Sequence, residues 1–106
     1  MQDKLLKYVG FAWAAHGLVL GTDLTLAAIR RHQARLVILA RDVSERTAKQ
    51  ILDKSLYYKI EVVRPDCTME ALARAVGKGA PVAAAAVTDK GFAKAIAAAA
   101  KMEKDR

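Results

Sequence analysis

Two periods of apolar and polar residues alternate along this chain. Leu5, Leu6, Val9, Ala12 and Trp13 recur at helical spacing with Lys4 and Lys7 off the stripe, which predicts a helix over residues 3–15 closed by Gly17. Leu18-Val19-Leu20 is a short extended piece. Gly21-Thr22-Asp23 reads as a helix start, with Thr22 as the cap and Asp23 at the positive end of the dipole; Leu26 and Ile29 carry that helix to Arg30-Arg31. Residues 35–40 form a near-continuous branched apolar run, the mark of a strand buried on both faces. Ser44 is placed to cap a helix over about residues 45–56, with Ala48, Ile51 and Leu52 inward. Residues 59–63 read as a strand. Thr68 opens a helix whose Met69, Leu72, Ala73 and Val76 share one face, and Gly77 and Gly79 end it. Residues 81–87, apolar and bounded by turn signals, read as a strand although alanine favours helix. Thr88-Asp89 caps a last helix carrying Phe92, Ile96 and Ala100, with residues 101–106 expected to fray.

Strands separated by helices imply right-handed crossovers and helices on both faces of a sheet. The expected fold is α/β, a three-layer α/β/α sandwich. A length of 106 residues suits one domain with one core. Hydrophobic residues make up 54% and charged residues 27%, which excludes a disordered tail and a membrane protein. Much of the apolar content is alanine, so elements should approach closely.

Cys67 is the single cysteine and has no disulfide partner, which fits a reducing, cytoplasmic compartment. The first residues lack an unbroken apolar run, so no signal peptide is expected. Lys90, Lys94 and Lys101 interrupt the alanine-rich stretches, so none is expected to span a membrane.

The net charge of +7 directs attention to acidic partners, nucleic acid first. Catalytic chemistry is thinly supported. His16 reads as a turn histidine and His32 as a cation at a helix end beside Arg30 and Arg31. No base is marked as a partner for Cys67, which reads as a small buried thiol. Gly77-Lys78-Gly79 is too short for a phosphate cradle. Asp42 and Glu45 read as helix N-terminal acids opposing Arg41 and Arg46 rather than a catalytic pair. No catalytic residue, cofactor or metal site is expected. What remains are loops at strand ends and helix starts, over residues 21–27, 41–46 and 77–81. Free backbone N–H groups there suit phosphates or guanine carbonyls, with Arg41, Arg46 and Lys78 adding charge.

In order and spacing the chain resembles the L7Ae-type kink-turn RNA-binding family of ribosomal proteins, and within it a small bacterial branch. The blocks that carry the likeness run from Leu5 to Ala12, from Ala15 to Val19 with Gly21, and from Ala34 to Asp42. They continue from Asp53 to Tyr58, from Leu72 to Lys78 and from Val87 to Lys94. The resemblance implies five helices around a mixed four-stranded sheet and binding to kink-turns. There the family's second helix opens with G-x-N-E-x-x-K, whose Asn, Glu and Lys meet two guanines. Here Gly21 matches, while Asp23, Leu24 and Ala27 stand at the three reading positions, with Thr22 between. Asp23 keeps acceptors that suit guanine N1–H and N2–H, or else serves only as a helix-cap acid. The family's other RNA-facing loop corresponds to Gly77-Lys78-Gly79-Ala80-Pro81-Val82, whose small residues suit packing on an unstacked base.

Two functions follow. The first is binding of structured RNA, a kink-turn or related ribosomal RNA element, in a ribosome or ribonucleoprotein setting and with diverged guanine-reading residues. The second is a protein-interaction module on the same fold, with Leu24 and Leu26 in an apolar contact patch. Exposure of Leu24 beside the basic residues would discriminate them.

Overall fold

A computed structural model describes residues 3–104. Four strands, β1 (Leu18–Leu20), β2 (Leu36–Leu39), β3 (Val62–Val63) and β4 (Ala84–Val87), form one sheet in the order β1-β4-β2-β3. β4 runs antiparallel to both β1 and β2, with Leu20 opposite Ala85 and Leu39 opposite Ala84, while β2 and β3 are parallel. The sheet is mixed, as expected. Five helices surround it: α1 (Asp3–Ala14), α2 (Thr22–Arg30), α3 (Glu45–Tyr57), α4 (Met69–Ala75) and α5 (Lys90–Lys104). α1 packs on α4 and α5, and α2 packs on α3, giving the three-layer α/β/α sandwich.

The alanine strand is the centre of this arrangement. β4 lies between two partners, and all four of its residues are fully buried. Its small side chains let α2 and α5 close on it from their two sides. Alanine's helical preference, well under 1 kcal/mol per residue against most alternatives, is overridden by pairing along both edges.

Element ends depart from the sequence expectations for local reasons. Gly17 is not the left-handed residue that closes α1. His16 takes that conformation (φ 61°), its N–H donates to the Trp13 carbonyl, and the Gly17 N–H donates to the Ala12 carbonyl at 2.8 Å. Gly17 is needed for space instead: a Cβ there would stand 2.9 Å from Cβ of Asp89. His32 and Lys59 close α2 and α3 in the same way, with φ 59° at each. The turn after α3 consumes Lys59 and Ile60, whose N–H groups donate to Leu56 and Ser55, so β3 begins only at Val62 and not at Lys59. β2 spans Leu36–Leu39 within the expected 35–40, and β4 starts at Ala84, leaving Pro81 to Ala83 in the preceding loop. Thr22 is not the cap of α2 but its first residue, following Gly21 at the N-cap. Residues 101–104 continue α5 rather than fraying, and residues 105 and 106 lie outside the described residues.

Candidate nucleic-acid interface

The strand directions place three of the candidate segments at one end of the sheet. β1 and β2 finish there and β4 starts there. The Gly21 N–H donates to the Ala84 carbonyl at 2.8 Å, and the Ala40 N–H to the Ala83 carbonyl at 2.9 Å. The Arg41 N–H donates to the Cys67 carbonyl at 2.9 Å, and the Val82 N–H to the Met69 carbonyl at 3.1 Å, so the β3–α4 connection joins the same rim. Every strand contributes one end to it.

Gly21 sets the geometry of the first segment. Its φ of 97° lies where other residues are strained, and the chain passes directly from the sheet edge into α2. With glycine at the N-cap no side chain closes the helix start. The first-turn N–H groups of α2 are therefore not occupied by a side-chain cap, as they are in α3 by Ser44 and in α4 by Thr68. Asp23 is exposed, Leu24 is 58% exposed, and Thr22 and Ala27 are half-buried. Asp23 forms no ion pair among the described residues.

The second segment is more restrained than its charges suggest. Arg41 is paired with the carboxylate of Asp66 across the rim, and its backbone carbonyl accepts from the Arg64 guanidinium at 3.4 Å. Arg46 is exposed on the first turns of α3 and forms no ion pair among the described residues. Asp42 does not act as an acid opposing Arg41 and Arg46: Oδ1 accepts from the Met69 N–H at 2.8 Å and so caps α4. Cys67 is buried, and its thiol is pushed up to about 11, first by burial and then by Glu103, Asp42 and Asp66. It is a neutral packing group at neutral pH.

The third segment divides. Gly79, Ala80 and Pro81 are exposed on the loop leading to β4. Lys78 is drawn away, its ammonium 5.0 Å from the centroid of the Trp13 ring of α1. Gly21 to Ala27, Arg41 and Arg46 therefore belong to the rim together with the approach to β4, while the charge of Lys78 lies on the α1 side of the sheet. Arg64 is a cation that the sequence pattern did not single out. Only the parallel pairing of β3 with β2 brings it there, although its place directly after a strand was a usable signal. Among the described residues no group of three or more His, Cys, Asp or Glu gathers as a metal site, and no helix is long and apolar enough to cross a membrane.

A mixed four-stranded sandwich with a loop-built rim at the strand ends defines an L7Ae-like α/β protein. The chain belongs to the ribosomal protein L7Ae/L30e/S12e/Gadd45 family, whose model matches residues 3–97. It is 42% identical over 85 residues to the RNA-binding protein YlxQ of Bacillus subtilis, covering 80% of this chain and 83% of that one. It is 36% identical over 93 residues to YlxQ of Enterococcus faecium, covering 88% and 87%. Among solved structures, a protein with unknown function from Bacillus halodurans C superposes with a TM-score of 0.86 at 34% identity, over 92% of this chain and 97% of that one. The Giardia lamblia 15.5kD RNA binding protein superposes with a TM-score of 0.81 over 98% and 88%; at 19% identity this match concerns the fold.

Proposed function

We propose that this protein binds structured RNA through the rim, acting as a binding protein rather than an enzyme. The observation that carries the reading is the start of α2. Gly21, hydrogen-bonded to Ala84, presents a helix N-terminus without a side-chain cap beside the loop that leads to β4, and Arg46 is exposed at the start of α3. RNA of this kind is recognised by shape and by splayed bases, for which a rim of backbone donors, small loop residues and cations is suited. The RNA-binding relatives support the class of ligand. The target in this reading is a kink-turn or related ribosomal RNA element in the cytoplasm. Backbone and shape contacts dominate, because Leu24 and Ala27 cannot read guanine edges.

Exposure of Leu24 also favours a second reading, a protein-interaction module on the same rim. Mobility shift with a standard kink-turn, the same RNA with its G·A pairs broken, and bulk ribosomal RNA tests both. Replacing Arg41, Arg46 and Lys78 with Ala should weaken RNA binding and flatten the slope of log affinity against log salt. Arg46 should account for most of the change, since Arg41 is paired and Lys78 is drawn to Trp13. Wild-type affinity in the triple variant would refute the rim and advance the protein-interaction reading.

A further inference from the structure

A second surface lies between α2 and α3, below the rim. Arg46, Gln50, Asp53 and Tyr57 follow one another at spacings of four, three and four along α3, the repeat of a single helix face. That row covers about 16 Å at ~1.5 Å per residue, from the rim to the far end of the helix. Leu26 and Arg30 of α2 and Gln50, Asp53, Lys54 and Tyr57 of α3 line an open groove of about 500 Å³. This falls within the roughly 300–1,000 Å³ of ligand sites.

The far end of the groove is aromatic and basic. Tyr57 is 79% exposed, although it packs edge-to-face on Tyr58 with ring centroids 5.0 Å apart. Tyr58 is half-buried and meets His32 in the same geometry at 5.4 Å. The half-buried ring thus steadies the exposed one while leaving most of its surface in water. Arg30 and Lys54 line the groove, and Arg31 and Lys59 stand at the ends of the same two helices. The acid in the lining, Asp53, which also pairs with Lys49 at 3.2 Å, leaves Arg30 and Lys54 in surplus.

From this arrangement we infer that the α2–α3 groove binds an unpaired RNA strand, with a base stacked on Tyr57 and phosphates held by Arg30 and Lys54. An exposed tyrosine gives a base a sequence-tolerant stacking platform, and flanking cations follow the backbone; the two together characterise single-strand sites. Gln50 offers an amide to the base edge. The surplus of positive charge matches a polyanion. The groove stands on its own residues and does not depend on what the rim holds.

The test uses the full chain and a labelled, unstructured adenosine–uridine oligoribonucleotide. Wild type should bind it. Tyr57→Ala should weaken binding about fivefold or more, the scale of one base–aromatic stack, and Tyr57→Phe should restore it. Arg30→Ala with Lys54→Ala should flatten the salt slope by roughly 0.7 for each phosphate no longer neutralised. Because Tyr57 is so exposed, these variants should keep the wild-type circular dichroism. A kink-turn without unpaired ends should bind Tyr57→Ala as well as wild type, which separates the groove from the rim. Equal oligonucleotide affinity in wild type and Tyr57→Ala would overturn the inference, as would failure of Tyr57→Phe to restore binding. So would a concentration-dependent dimer that Tyr57→Ala abolishes, together with Leu56→Ala at the 79% exposed leucine beside it, in a protein that binds no oligonucleotide; that result would give this end of α3 to a second copy of the chain.

Discussion

Asp42 and Met69, 27 residues apart, are joined by a hydrogen bond: Oδ1 of Asp42 accepts from the Met69 N–H at 2.8 Å. This carboxylate, in the β2–α3 loop, caps a helix that follows a different strand. It fastens two sides of the rim together, with Thr68 capping the same helix through the Ala71 N–H.

Asp42→Ala should therefore act on stability. Loss of a capping acceptor typically costs about 0.5–2 kcal/mol. Asp42→Asn, which keeps an acceptor oxygen, should recover much of it. Urea unfolding of the two variants measures this; an Asp42→Ala protein as stable as wild type would show that Thr68 alone suffices.

The start of α2 offers a gain-of-function test. Asp23 and Leu24 are exposed, and Ala27 lies one turn beyond Leu24 at a half-buried surface. Asp23→Asn, Leu24→Glu and Ala27→Lys together supply the amide, carboxylate and ammonium that guanine edges require. At about 1–3 kcal/mol for each well-made base contact, the triple variant should bind a kink-turn at least roughly tenfold more tightly than wild type. RNA with broken G·A pairs should gain little. Equal gains on both RNAs, or none, would mean that α2 does not face RNA.

Cys67 gives a pH-dependent signature. Its ionisation is raised from 9.0 to about 11 in the folded protein, chiefly by burial. Between these values the unfolded chain releases the proton that the folded chain retains. The stability contributed is fully present below pH 9 and declines as pH rises towards about 11. The stability difference between wild type and Cys67→Ala should shrink across that interval. A constant difference across the same interval in matched urea titrations would refute the assignment.

The repeating order of helix and strand was written in the sequence because each element buries its own periodic stripe, and the branched run Leu36–Leu39 and the caps Ser44 and Thr68 could be read locally. Net charge was equally plain, and the resemblance marked Leu24 and Ala27 as departures from the family's pattern. Helix ends were less legible, because His16, His32 and Lys59 take left-handed conformations that hydrogen bonds to the preceding turn hold against their own preference. Only the tertiary structure decided how the charges are used. Arg41 meets Asp66 because β2 and β3 pair in parallel, Lys78 goes to Trp13 because α4 packs on α1, and Tyr57 stands open beside Arg30 because α2 packs on α3. The sequence contains these side chains, but the contacts join residues far apart in the chain, and no local pattern encodes which of them meet.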